Sequence, residues 1–126
     1  MNRVRVEAAP DGGGGALCLT GAQHDLLRRS AQVFLSLVPE GPGRDLALGP
    51  GGAQLPDLVA SAGEEDGDGF VPVAVTFEQL HAVHAMLMTL LVLVPSELSF
   101  MQQTGHFREN AAGLAAGLRR AADHLA

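Results

Sequence analysis

A short apolar run followed by a helical pattern occurs twice in the chain, at an offset of 56 residues. In each copy a Thr precedes the helix and a Gln follows it three positions later, which is the spacing of a capping box. A Pro ends each helical run because it has no N–H to donate. Six of the twenty aligned positions are identical: Thr20/Thr76, Gln23/Gln79, Leu35/Leu91, Leu37/Leu93, Val38/Val94 and Pro39/Pro95. We interpret the pattern as a duplicated strand–helix unit.

The segments before the two helices predict strands. Arg3 to Ala8 alternates charged and apolar residues, and a glycine-rich loop separates it from the apolar run Ala16 to Leu19, which indicates a hairpin. Phe70 to Val75 precedes the second helix in the same way. The prediction is an α+β fold, with a small antiparallel sheet from two hairpin–helix (ββα) repeats, residues 1–39 and 70–95, plus a C-terminal helix over 106–125. At 126 residues, the chain 1–126 is expected to form a single domain.

Residues 40–69 connect the two units and contain eight glycines and three prolines. Their apolar islands are Leu46 to Leu48 and Leu58 to Ala60. A structureless loop of this length is unusual in a compact domain, so we expect one or two short strands here. One of these strands would be the partner of Phe70 to Val75 in the second hairpin.

The second helix predicts an interface, because Thr89 is the only polar residue from Ala85 to Val94. A helix that is apolar on every side must be covered on every side, by the C-terminal helix, by a second subunit, or by both. We therefore predict a homodimer, or another homo-oligomer, through the second and third helices. The predicted interface residues are Leu87, Leu91, Val94, Gly113, Leu114 and Gly117.

Histidines and carboxylates near the start of the second and third helices form a candidate metal site. Glu78 and His81 have the Glu-x-x-His spacing that places both side chains on one helix face. The full candidate set is Glu78, His81, His84, His106 and Glu109. If these side chains converge they can hold a divalent transition metal. The alternative is that Glu78 and His81 occupy an exposed first turn and that His84 lies at the margin of the core.

An acidic segment precedes the third predicted strand. Its carboxylates are Glu64, Glu65, Asp66 and Asp68. The segment resembles half of a calcium-binding loop, but the twelfth position, which requires a bidentate Glu, is Val75. We interpret it as an acidic turn and as the contact for a partner protein with a basic surface.

Cys18 is the single cysteine, so no internal disulfide forms. With His24 and Asp25 close in sequence, Cys18 has the residue types of a nucleophile and base, although cysteine more often packs as a small buried apolar residue. The absence of an apolar leader and of a membrane-length apolar run predicts a cytoplasmic protein without membrane contact.

Net charge disfavours nucleic acid as a partner. The formal charge is −6, and the eight basic residues are all Arg, too few to neutralise a phosphate backbone. The absence of Lys and the abundance of Ala, Gly and Leu are typical of a GC-rich bacterial genome.

The sequence contains no complete catalytic constellation and no family signature that we recognise. We expect a small, non-enzymatic protein–protein interaction protein without a cofactor: an immunity-type inhibitor, a regulator or an accessory subunit. The alternative is a small metal-dependent enzyme or ligand-binding domain that uses the His/Glu cluster.

Overall fold

The computed structural model describes residues 4–8, 14–60, 67 and 69–125. Its elements, in chain order, are β1 (Arg5–Ala8), β2 (Gly15–Thr20), α1 (Gly21–Leu37), α2 (Pro42–Leu48), a 3-10 turn (Gly52–Gln54), α3 (Leu55–Ala60), β3 (Phe70–Val75), α4 (Phe77–Leu93), α5 (Glu97–Thr104) and α6 (Arg108–Leu125). Within these residues, three strands form one antiparallel sheet in the order β1-β2-β3. The α+β prediction is therefore confirmed.

The first predicted hairpin is present, with Arg5 opposite Cys18 and Ala8 opposite Gly15. Arg3 and the loop residues 9–13 lie outside the described residues. Strand β2 is central, and on its other side it pairs with β3, so that Leu17 lies opposite Val73. Because β3 is an edge strand, it tolerates Pro72, which cannot donate a ladder hydrogen bond.

Both predicted capping boxes are formed. Thr20 Oγ1 accepts a hydrogen bond from Gln23 N at 3.1 Å, and Thr20 N donates to Gln23 Oε1 at 2.9 Å. Thr76 and Gln79 make the same two bonds, at 3.2 and 2.9 Å. Helices α1 and α4 each contain 17 residues and end two residues before a proline. The two strand–helix units therefore match in local structure, and their origin by duplication stays a prediction.

The expectation of strands at the two apolar islands of 40–69 is wrong, because both islands are helical. Leu46 to Leu48 lies in α2, and Leu58 to Ala60 lies in α3. On a strand, Leu46 and Leu48 would share one face, whereas the structure exposes 88% of Leu46 and buries Leu48 completely. Strand β3 pairs with β2 of the first unit. Residues 61–66 and 68 lie outside the described residues.

A tight glycine-containing turn fixes α2 and α3 against the start of α4. Gly49 has a φ of 76°, and a Cβ there would lie 3.2 Å from His81 Nδ1. A Cβ on Gly51 would collide with the carbonyl oxygen of Glu78 and lie 2.8 Å from Gln79 N. Gln79 also donates a side-chain hydrogen bond to Gln54. The glycines in this turn permit close backbone approach to α4.

The connector predicted between the second and third helices contains helix α5. Ser96 caps its start, with Oγ accepting a hydrogen bond from Ser99 N at 3.2 Å, and Gly105 ends it in the left-handed conformation. Helix α6 then runs antiparallel to α4, because Arg108 at its start reaches the end of α4 and Leu118 lies beside Leu80 near the start of α4. In the described part of the chain, no helix is long and apolar enough to cross a bilayer.

One apolar core joins the sheet to all six α-helices of the described chain, with Leu48 as the contribution of α2. Its fully buried large side chains include Leu17, Leu19, Leu27, Phe34, Leu55, Met86, Leu87, Leu90, Phe100, Leu114 and Leu118. Helix α4 contacts α1, α2, α3 and β3, and α6 covers a further side. The apolar second helix is thus covered largely from within the same chain.

Gly51→Ala should lower the free energy of unfolding by about 1–3 kcal/mol, because the new methyl group meets α4 backbone that cannot rotate away. The φ of Gly51 is −84°, which alanine adopts readily, so the loss reports the contact and not backbone strain. Gly43→Ala in α2 is the control, since its Cβ meets nothing within 4 Å and alanine favours a helix. Urea denaturation of both variants measures the difference. Equal stabilities would contradict the close approach to α4.

Candidate functional site

The five candidate metal ligands do not converge. Among the described residues, no group of three or more His, Cys, Asp or Glu side chains is placed to hold a metal ion. His81 Nδ1 lies 3.3 Å from the carbonyl oxygen of Leu48, to which it donates a hydrogen bond. His84 lies beside His81, but His106 is bound elsewhere. Glu78 and Glu109 are exposed in the first turns of α4 and α6, where their charge suits the helix dipole.

His106 forms a polar contact with helix α1. Its Nε2 donates a hydrogen bond to Asp25 Oδ2 at 2.8 Å. Arg28 and Arg29 approach the same carboxylate at 2.8 and 3.0 Å. The hydrogen bond from His106, with smaller contributions from Arg29 and Arg28, lowers the pKa of Asp25 to about 2. These groups join the α5–α6 turn to α1, which is a structural role.

Asp25 is therefore engaged away from Cys18. The Cys18 side chain is 2% exposed within the central strand, inaccessible to a substrate from solvent. The structure thus favours the packing interpretation of this cysteine. The predicted acidic contact residues Glu64, Glu65, Asp66 and Asp68 lie outside the described residues.

The predicted interface residues lie mainly inside the chain, where α6 packs against α4. Leu87 and Leu114 are fully buried, and Val94 is 5% exposed. Gly117 is buried, while Leu91 and Gly113 are partly covered. Leu87, Leu114, Val94 and Gly117 are therefore buried within one molecule and are not available as the surface that meets a second subunit, whereas Leu91 and Gly113 stay partly accessible.

Arg108 organises the end of the molecule where α4, α5 and α6 meet. Its Nη1 donates hydrogen bonds to Leu91 O, at 2.7 Å, and to Val94 O, which are carbonyls left unpaired at the end of α4. Its backbone N donates to Glu97 Oε2 at 2.9 Å. Its guanidinium also lies 5.9 Å from the centre of the Phe100 ring. One arginine thus joins three helix ends.

Four large exposed apolar side chains lie at this end of the molecule, near these hydrogen bonds. Each lies next in sequence to a residue that takes part in the bonds of Arg108. They are Val92 (76% exposed), Leu93 (46%), Leu98 (68%) and Phe107 (54%). We call these four residues the Arg108 patch. Met88, one turn before Val92, extends the apolar surface along α4.

A separate groove lies between the first half of α4 and the last half of α6. It has a volume of about 150 Å³ and is lined by Phe77, Leu80, His81, His84, Leu118, Arg119 and Ala122. Burial, with additional effects from Arg119 and His81, lowers the pKa of His84, so its imidazole is neutral at pH 7. The groove thus combines an apolar floor with a neutral imidazole and an arginine.

Sequence reasoning identified His81 and His84 but missed Arg119 and the Arg108 patch. Helical spacing within α6 places Arg119 one residue from Leu118, at the edge of the buried stripe, but does not show which helix it faces. Leu98 and Phe107 lie at the same end of the molecule because the Glu97 side chain accepts a hydrogen bond from Arg108 N, eleven positions later in the chain. Both features depend on the arrangement of helices, so local spacing alone carries no signal for them.

No protein-family model, curated protein or solved structure matches this chain. Its function is therefore inferred from the geometry of its own residues.

Asp25→Asn should reduce the free energy of unfolding by about 1 kcal/mol at pH 7, because a partly exposed ion pair is screened by solvent. The pKa of Asp25 is about 2 in the folded chain against an ordinary value of 3.8, so the contribution is complete above pH 5 or so and disappears as the pH falls from about 4 to about 2. Urea denaturation across this pH range measures it. Asp123→Asn, on the exposed end of α6, is the control. A loss that persists unchanged at pH 2 would contradict the role of the Asp25 charge.

Proposed function

We propose that this chain is a cytoplasmic, non-enzymatic interaction protein that forms a homodimer through the Arg108 patch. The observation that carries the proposal is the exposure of Val92, Leu93, Leu98 and Phe107 together at one end of the molecule. Isolated exposed apolar residues are normal in a monomer, but contiguous apolar surface is typical of an interaction site. Val92, at 76% exposed, makes the strongest case, because it lies on a helix whose opposite face is fully buried.

The charges beside the patch support a second copy of this chain as the occupant. Glu97 accepts a hydrogen bond from Arg108 N, and the Arg108 guanidinium is bonded to carbonyl oxygens of α4. The polar groups at the centre of the patch are therefore engaged within the chain. An apolar surface of this kind needs no oppositely charged partner, and a two-fold dimer would bring the same patch of each copy into contact.

Net charge also favours this location for a dimer contact. The chain carries a formal charge of −6, so two copies repel each other where their acidic surfaces meet. On α4 the one charged residue is Glu78, in the first turn, and the last half of the helix is uncharged. A contact centred on Val92 and Phe107 avoids Glu78, and of the two exposed carboxylates beside the patch, Glu97 and Glu109, the first is engaged by the hydrogen bond from Arg108 N.

The partner of the dimer is proposed to be a protein with a basic surface. The support is the acidic composition of Glu64, Glu65, Asp66 and Asp68, together with the net charge of the chain. A dimer would present two such segments. It could therefore bind one basic partner through both segments, or two partners through one segment each. Immunity-type inhibition, regulation and service as an accessory subunit are the roles that suit this chemistry.

Val92→Asp should weaken the homodimer by at least about tenfold while the fold is retained, because the new carboxylate would be buried without a partner at the contact but is solvated in the monomer. Sedimentation velocity over a micromolar concentration series measures the mass, and circular dichroism checks the fold. Leu46→Asp is the matched control: it places the same charge on an exposed leucine of α2, outside the patch, and should leave the dimer intact.

A wild-type protein that sediments as a monomer throughout the series would refute the homodimer. Equal dissociation of the Val92→Asp and Leu46→Asp variants would instead show that added negative charge, and not the Arg108 patch, controls association. Substitution of Leu87 by Asp is unsuitable for this test, because that side chain is fully buried and its replacement would unfold the monomer.

A further inference from the structure

We propose that the groove between α4 and α6 binds a small amphipathic monoanion, a carboxylate attached to an apolar body of about six carbon atoms. The groove lies near the start of α4 and the end of α6, at the opposite end of the helix pair from the Arg108 patch. The inference is therefore independent of the proposed dimer contact.

The apolar part of the groove sets the size of the ligand. Phe77, Leu80, Leu118 and Ala122 provide its apolar lining, and the volume is about 150 Å³. An apolar space of this volume suits a benzene ring. Leu80 and Leu118 belong to the buried core, while Phe77 is about half exposed, so the floor of the groove is fixed and its mouth is open to solvent.

The polar part of the groove sets the charge of the ligand. Arg119 lines it and is exposed, and none of the described residues that line it is acidic. Within the described chain, no hydrogen bond or ion pair occupies the Arg119 guanidinium. An arginine with an unoccupied fork of N–H donors binds a carboxylate through two parallel hydrogen bonds. A ligand carboxylate would thus provide the negative charge that pairs with Arg119 in the groove.

The two histidines restrict how the anion is held. His81 Nδ1 donates to Leu48 O, so this nitrogen is engaged within the chain. The neutral imidazole of His84 has one N–H, which can donate to a carboxylate oxygen when a ligand is present. Arg119 therefore provides the charge and His84 a second hydrogen bond, whereas His81 Nδ1 is bonded to the end of α2.

Benzoate is the probe that tests this site, because it has the apolar volume and the single charge. Titration of ¹⁵N-labelled protein with millimolar benzoate should shift the amide signals of the first half of α4 and the last half of α6 in a saturable way. Arg119→Gln should weaken binding about tenfold, since a charged hydrogen-bond partner is lost. Arg120→Gln is the matched control: Arg120 is the next residue but lines a different concavity with Arg5, Phe70 and His124, so binding should not change.

Benzyl alcohol, which keeps the ring and lacks the charge, should bind much more weakly than benzoate. Equal binding of the two compounds, equal effects of the Arg119 and Arg120 substitutions, shifts centred on the Arg120 concavity, or no saturable shifts would each overturn the proposal. Repeating the titration with the Val92→Asp variant separates the two proposals, because loss of the dimer should leave benzoate binding unchanged.

Discussion

Helix α4 must be removed from water over most of its circumference, and the arrangement of the other helices follows from that requirement. A helix whose second half is apolar on every side, as α4 is from Ala85 onward except at Thr89, is stable only when other elements cover it. Strand β3 and α1 contact α4, the α2–α3 segment contacts its first turns, and α6 covers a further side, where Leu118 lies beside Leu80. These contacts leave some residues of α4 exposed to solvent, chiefly Val92 and Met88.

Burial of α4 also leaves backbone carbonyl groups at its end that need hydrogen-bond donors, and Arg108 provides them. The last carbonyls of a helix have no partner within that helix, and their burial without one is costly. Arg108 reaches Leu91 O and Val94 O from the first turn of α6, so the residue that starts α6 also completes α4. Glu97 fixes the backbone of Arg108 in turn. The apolar contact of the two helices and the polar cap are therefore parts of one arrangement.

The features set by local chemistry were predictable from sequence. The Thr20 and Thr76 capping boxes, the prolines that follow α1 and α4, and the first hairpin all depend on residues within a few positions of each other. The α+β class followed from those elements. The helix signals of α5, a Ser before its first turn and a Gly after its last, were also present in the sequence and were missed as ordinary connector residues.

The features set by contacts between distant residues were not predictable. His106 meets Asp25, 81 positions earlier, and no spacing rule connects them. Because His106 is bound to Asp25, it does not join the metal site for which it was a candidate together with Glu109, three positions later in the sequence. Leu46 and Leu48 carry the same side chain, and only the position of α4 decides that one is buried and the other is not. Short helices such as α2 and α3 take their stability from such contacts, so intrinsic propensity predicts them poorly.

The two short helices of residues 42–60 have a further consequence for how the molecule opens. With seven and six residues, α2 and α3 are too short to persist alone, so their backbone hydrogen bonds depend on contacts with other elements: both helices contact α4, α3 also contacts α1 and β3, and Arg44 of α2 donates hydrogen bonds to carbonyls at the end of α1. When those contacts are lost, both helices are expected to exchange their amide hydrogens together, as one cooperative unit with a lower opening free energy than the sheet. Such an opening would expose Leu48 and the first turns of α4 to solvent. The hydrogen bonds of Arg108 at the end of α4 would remain, so the opening is local and confined to one end of the molecule.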